Sequence, residues 1–453
     1  MRRQGRAHAI CIRQVRVVEG GAMKVQSYWM DTAPRYEPRV RDWPGSVDVA
    51  IVGAGFTGLS AALALAARGA KVAVLEAGDR VASEASGRNG GHVNNGLAHD
   101  YGELAARVGV EQARAWYRAY DAAVDTVERI VREEAIDCGF ARNGKLKLAT
   151  RPHHYDALAR SAERLVADGV DTDLELLDAA RVRAEEICSG RFVGGLVYKR
   201  SAQMHMGRFA NGLAAAVERN GGRILLNAEV ERIERGGAGK PSLLRTSRGP
   251  VQAGQVLLAS GAGRHGSYRE FGWLRRRMVP VGSFIIATAP LGRERAQRLI
   301  ARRRTCTTVA NIHHYFRLTD DDRLILGGRA HFGVSSPKAD ARSAPILREG
   351  MLGIFPELAD VAIDYCWGGV VDMTRDRLPQ AGERDGVWYS TGYSGHGTQM
   401  SVHMGQVMAK LIAGEALDNP WGGRPWPAIP GHFGPPWFLP LVGAYYRAKD
   451  RFS

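Results

Sequence analysis

Asp48-Val-Ala-Ile-Val-Gly-Ala-Gly-Phe-Thr-Gly-Leu-Ser60 runs from a β-branched apolar stretch through Gly53, Gly55 and Gly58 into the Ala/Leu-rich segment Leu59 to Ala67. This order predicts a strand, a tight turn and a helix. Gly53 permits the turn, Gly55 lets a pyrophosphate approach the backbone, and Gly58 allows the helix to pack closely on the strand. Phe56 and Thr57 then lie where free N–H groups and the positive end of the helix dipole favour an anion without a basic side chain. After Arg68-Gly69, Lys71-Val-Ala-Val-Leu-Glu76 reads as a second parallel strand ending in an acid, followed by Ala77. Glu76 stands 23 residues beyond Gly53, where a carboxylate accepts hydrogen bonds from ribose hydroxyls and repels a 2′-phosphate.

The motif by itself does not separate FAD from NAD. Two further glycine-rich segments bear on the choice. Ala85-Ser-Gly-Arg-Asn-Gly-Gly-His92 reads as a loop directly after the second strand. Gly392-Tyr-Ser-Gly-His-Gly397 follows the strand Val387 to Thr391 and precedes a helical stretch from Thr398 to Ile412, so another helix N-terminus stands at a strand end.

The 453 residues suffice for two interlocked domains, and 45% apolar with 24% charged residues is ordinary for a globular protein. The net charge of +15 would suit nucleic acid or an anionic surface. Its distribution argues for solvated surface instead: Arg2, Arg3, Arg6, Arg13 and Arg16 face only Glu19 at the N-terminus, and the runs Arg275 to Arg277 and Arg302 to Arg304 lack interleaved aromatics. No nucleic-acid partner is expected. Five dispersed cysteines show no metal or cluster spacing and fit a reducing compartment. Val49 to Ala67 is uncharged over 19 residues, but its glycines and β-branched start exclude a membrane helix. With no secretory apolar stretch near the N-terminus, a cytoplasmic location is expected. Residues 1 to 22 are expected to be dispensable, with Met23 as an alternative start.

Elsewhere, residues 102 to 137 and 155 to 185 carry helical patterning, and Phe209 to Arg219 reads as a helix. Gly144 to Thr150, Arg223 to Asn227, Leu243 to Thr246 and Val256 to Ser260 read as strands, the last closing on Gly261. Val279 to Ala289, His313 to Leu318 and Arg323 to Gly327 predict an antiparallel sheet.

With these pieces the chain resembles the D-amino-acid oxidase-like family of FAD-dependent amine and amino-acid oxidoreductases, from about Ser27 to the C-terminus. The carriers are Ser27-Tyr-Trp29, the glycine motif with Glu76, Ala85 to Gly91, Pro280-Val-Gly-Ser-Phe-Ile-Ile-Ala-Thr288, Trp367-Gly-Gly369 and Gly392 to Gly397. The resemblance implies an α/β (α+β) fold: a Rossmann-like FAD-binding domain (47–98, 195–264 and 361–415) interlocked with an antiparallel-sheet substrate domain (99–194 and 265–360), flanked by a basic extension (1–26) and a Pro/aromatic tail (416–453). It implies that Gly53, Gly55, Gly58 and Glu76 hold the ADP half with Val230 against adenine. Arg88, Asn89, Gly90, Gly91 and His92, together with Gly261 and Gly392, Tyr393, Gly395, His396, Gly397 and Thr398, are then expected around the flavin end. Two positions depart from the family pattern: His92 stands where glutamine is expected, and Asp376 where asparagine is expected. His92 is a conceivable covalent attachment point, but its motif is not that of the covalent members, and non-covalent FAD is expected.

Flavin chemistry needs a C–H bond positioned over the ring, not a dedicated acid or base. The expected substrate is a primary or secondary amine carrying a carboxylate some bonds away, oxidised to an imine that water hydrolyses, with O2 or another acceptor taking the electrons. Tyr315, Arg317, Arg329 and Arg377 are candidate substrate contacts, since a bidentate arginine suits a carboxylate. Of His313 and His314, neighbours in a strand, at most one can face the site. Two other readings stand beside this one: a flavoprotein acting on tRNA, and a dehydrogenase whose segment Pro436-Trp-Phe-Leu-Pro-Leu-Val-Gly-Ala-Tyr-Tyr-Arg447 docks on a membrane to deliver electrons to quinone.

Overall fold

The computed structural model describes residues 22–40, 42–237, 239–261, 272–310, 313–331, 333–417, 419–434 and 436–452. The basic stretch 1–21 and residues 262–271 lie outside the described residues. Two eight-stranded sheets carry the chain.

The first sheet has a parallel centre: Arg223–Leu225, Val72–Leu75, Ser46–Val52, Gly249–Leu258 and Val387–Thr391, in that order. Val72–Leu75 and the second half of Ser46–Val52 are buried on both faces, which explains why they read as continuous Val/Ala/Ile/Leu runs. Every residue of the helix Phe56–Ala66 is buried as well. The second helix, Gly397–Ile412, covers it, and small residues set the separation. A Cβ on Gly405 would stand 2.6 Å from the Thr57 carbonyl oxygen, and Ser60 Oγ donates to the Val402 carbonyl at 2.6 Å. A helix apolar on all sides needs such a cover.

The second sheet runs Ile363–Thr374, Met278–Thr288, Leu324–Gly328, His314–Leu318, Thr305–Thr308, Lys145–Ala149, Gly194–Tyr198 and Leu174–Asp178. It is antiparallel except where Thr305–Thr308 meets Lys145–Ala149. The helical pattern read over 155 to 185 is corrected here. Helix Pro152–Ala167 stops, and Leu174–Asp178 is an edge strand with only Leu177 buried, so it leaves no clear period-two pattern in the sequence. Within the Pro/aromatic tail, Leu439–Phe452 is a helix. Near the N-terminus, Lys24 exchanges backbone hydrogen bonds with the strand Ile363–Thr374: its N–H donates to Asp364 O at 2.8 Å, and its carbonyl accepts from Cys366 N at 3.0 Å. Among the described residues no helix is long and apolar enough to cross a membrane.

Candidate active site

At the glycine turn each glycine meets a separate steric demand. Gly53 has φ +104°, a region that disfavours side chains, and its Cβ would lie 3.1 Å from Ala259 O. A Cβ on Gly58 would stand 2.0 Å from Gly53 O, so the helix can sit on the strand only with hydrogen at that position. Gly55 caps the helix without a side-chain hydrogen bond. The Phe56 N–H donates to Ser86 Oγ at 3.1 Å. Glu76 draws the turn together: Oε2 accepts from Ala54 N and Oε1 from Gly78 N, both at 2.8 Å. Ala77 is half-buried between these two. Val230 is buried in the apolar cluster that also holds Leu75 and Leu225, beside the ends of two central strands.

The segment after the second strand was read as a loop, but Ala85–Arg88 forms one helical turn before the chain extends at Asn89. Asn89 explains the change. Its Nδ2 donates back to Ser86 O at 2.8 Å and its Oδ1 accepts from Gly91 N at 2.8 Å, which ends the turn and orients the glycines. Arg88 spans to the second sheet, donating through Nε to Gly368 O at 2.5 Å and pairing with Asp340 at 3.5 Å. Trp29 and Trp367 fix the same backbone, donating to Asn89 O at 2.6 Å and Arg88 O at 3.0 Å.

Arg317, a candidate substrate contact by sequence, has its guanidinium turned to backbone carbonyls. It is buried and donates to three carbonyls: Gly90 at 3.1 Å, Leu318 at 3.1 Å and Met204 at 2.8 Å. Burial lowers its pKa to about 10, and its planar fork serves the loop.

The second glycine loop faces the first. Tyr393 OH lies 2.8 Å from Thr57 Oγ1 and 2.8 Å from Ser390 Oγ, and burial raises its pKa to about 12, so it stays protonated. Gly392 and Gly395 have φ of +76° and +88°; a Cβ on Gly397 would press on Tyr393 Cβ at 2.9 Å. The helix therefore begins with bare backbone N–H groups at Gly397 and Thr398. A Cβ on Gly261 would meet Asp372 Oδ2 at 2.2 Å, so this strand end lies against Ile363–Thr374.

Tyr315 shares a 3.0 Å hydrogen bond with Ser283 Oγ and stands edge-on to His92, ring centroids 5.5 Å apart. Its pKa is raised to about 12 by burial. His313 shares its face, with centroids 6.4 Å apart, whereas His314 turns to the helix Pro337–Ile354, where a Cβ on Gly350 would meet its Nε2 at 2.5 Å. Arg329 is half-buried, and burial lowers its pKa. Arg377 is exposed at φ +54° and reaches His99 Nδ1 at 3.2 Å. The departure at Asp376 has a structural account. Its carboxylate pairs with Arg424 and accepts from Thr374 Oγ1 at 3.0 Å, which an asparagine would do without the charge.

Three buried polar atoms in this region lack a hydrogen-bond partner: His92 Nε2, Gln203 Oε1 and His396 Nδ1. His92 and Gln203 are directly paired across a two-stranded ladder, so their side chains share a face. Burial, helped by the charge of Lys145, depresses the pKa of both histidines to about 3, and they are neutral. Each orphaned group costs about 1–3 kcal/mol. A polar cofactor would satisfy them. Together with the bare helix N-termini and Glu76, they fit FAD. Gln203 and Lys145, whose own pKa burial lowers to about 7, had no signal in the sequence beyond being polar residues in apolar strands.

Similarity to known proteins agrees with this geometry. The family model described as FAD dependent oxidoreductase (DAO) matches residues 48–411. Gamma-glutamylputrescine oxidoreductase of Escherichia coli (strain K12) is 32% identical over 432 residues, 94% of this chain and 98% of that protein. A D-amino acid dehydrogenase of Rhizorhabdus wittichii is 26% identical over 81% of this chain and 96% of its own. The crystal structure of glycine oxidase from Geobacillus kaustophilus superposes with a TM-score of 0.67 at 23% identity, covering 82% of this chain and 96% of that one. The chain belongs to the DAO family of FAD-dependent oxidoreductases.

Proposed function

We propose that this enzyme oxidises the C–N bond of a primary or secondary amine that carries a carboxylate at a distance. The observation that carries the reading is the composition of the walls around Tyr315. His92 and His396 are neutral, Tyr315 is protonated, and the charged groups that act on them are cations: Arg317 and Lys145 on His92, Lys145 and Arg377 on His396, and Arg329 on Tyr315. Such walls disfavour an ammonium and favour the neutral amine, while an arginine attracts the distal carboxylate. The 32% identity to gamma-glutamylputrescine oxidoreductase supports the same substrate class.

In this reading the N-terminus of Phe56–Ala66 with Gly53, Gly55 and Gly58 holds the pyrophosphate, Glu76 the ribose, and Val230 the adenine. Arg88 to His92 and Gly392 to Thr398 hold the flavin end, and bound FAD supplies the two-electron acceptor. The N-terminus of Gly397–Ile412 favours negative charge in front of it. Tyr315 and Arg329 orient the substrate, and the Trp29, Arg317 and Asn89 scaffold keeps the loop rigid. Electrons pass to O2 or another acceptor. The buried free thiols of Cys138, Cys306 and Cys366 suit a reducing, cytoplasmic setting.

An amine panel, read by peroxide formation and by dye reduction across pH 7 to 10, tests the proposal. Reduction of the flavin by a hydroxy acid or alcohol, with none by any amine, would overturn it.

A further inference from the structure

The C-terminal segment carries apolar side chains on two opposite faces. Its inner face is anchored at the start of the strand Met278–Thr288. Leu439 packs with Val279 and Val281, Ile429 N donates to Arg276 O at 2.7 Å, Arg277 Nε to Trp426 O at 2.6 Å, and His432 Nε2 lies 2.8 Å from Met278 O. Its outer face is equally apolar. Trp437, Leu441 and Tyr445 recur every four residues and are 69%, 67% and 62% exposed, and Phe433 nearby is 75% exposed. Leu441 and Tyr445, four apart, lie along one side of the helix Leu439–Phe452, and Phe433 and Trp437 stand in the segment just before it. The exposed aliphatics elsewhere, Val25, Val166, Leu176, Val334, Ile346 and Leu417, are scattered singly along the chain and need no explanation.

The occupant follows from charge and composition. The guanidinium of Arg276 lies over the Phe433 ring, 5.2 Å from its centroid, so a cation stands at the rim of the patch. From Pro425 to Phe452 the sequence has one acid, Asp450, against Arg447, Lys449 and Arg451, in a chain of net charge +15. A second copy docking through the same patch would bring these like charges together across a two-fold contact. An anionic bilayer would attract them, and Trp, Tyr and Phe are the side chains that settle at the headgroup boundary.

We propose that the face formed by Phe433, Trp437, Leu441 and Tyr445 docks the enzyme on an anionic lipid bilayer as a peripheral, non-spanning contact.

The test is flotation of the FAD-loaded protein with vesicles of phosphatidylcholine alone and of phosphatidylcholine mixed with phosphatidylglycerol. Flotation is expected with the mixed vesicles only, falling as salt is raised. Trp437→Ser combined with Leu441→Ser should weaken it about tenfold or more, with FAD content and melting temperature unchanged. Arg276→Glu, which keeps the apolar face, should weaken it by a similar factor. Absence of flotation with anionic vesicles, equal flotation of the variants, or a solution dimer that the double variant dissociates would each overturn the proposal.

Discussion

Thr57 Oγ1 and Tyr393 OH stand 2.8 Å apart although 336 positions separate them in the chain. The contact ties the first turn of Phe56–Ala66 to the loop that precedes Gly397–Ile412, so the two helix N-termini in the candidate site are held by one phenol. Tyr393→Phe removes this bond and the one to Ser390, and should cost about 1–2 kcal/mol of stability. FAD should dissociate faster in the variant, measured by fluorescence on dilution. An unchanged off-rate would mean that the phenol does not set the spacing.

Glu76 accepts two backbone N–H groups and retains lone pairs for a ribose. Glu76→Ala should weaken FAD binding by roughly 1.5–3 kcal/mol, the range for hydrogen bonds to a charged group. Calorimetric titration of the apoprotein checks this; a loss below about threefold would contradict it.

Gly397→Val places a side chain where a Cβ already lies 2.9 Å from Tyr393 Cβ, at the bare end of the second helix. We expect bound flavin to be lost, or its reduction slowed at least tenfold, while the apoprotein melts within a few degrees of the parent. Normal flavin content together with a normal reduction rate would refute the assignment of that helix end.

His92 and His396 have folded pKa values near 3, depressed from the usual 6.5 by burial. Between those values the unfolded chain binds more protons than the folded one, so stability is retained above pH 6.5 and lost as pH falls toward 3. Each histidine contributes a slope of up to about 1.4 kcal/mol per pH unit in that window. His92→Gln, which installs the residue expected from the family pattern, should flatten the slope in urea titrations of the apoprotein. The same slope in parent and variant would show that His92 is solvated.

Arg329 is half-buried beside Tyr315, whereas Arg377 is exposed and turned to His99. Arg329→Leu should raise KM for carboxylated amines about tenfold or more and leave simple alkylamines nearly unchanged. Arg377→Leu should do much less. Equal effects on both amine classes would point to a structural role for Arg329.

What the sequence determined by itself is the nucleotide end. Its rules act over short range: Gly53 must reach φ +104°, Gly58 must lack a Cβ against Gly53 O, and the strands buried on both faces must be apolar throughout. Residues within about thirty positions decide these points, so they can be read in order. The flavin and substrate end was decided by tertiary structure. Arg317 looks like a ligand-binding arginine until Gly90 and Met204, 227 and 113 positions away, bring carbonyls to its fork. Asp376, where asparagine is expected, finds its counter-charge in Arg424, beyond the matched region. His92 and Gln203 become a pair of unpartnered groups only when two distant short strands meet. A side chain's hydrogen-bonding capacity is written in the sequence; which partner consumes it depends on where the chain returns.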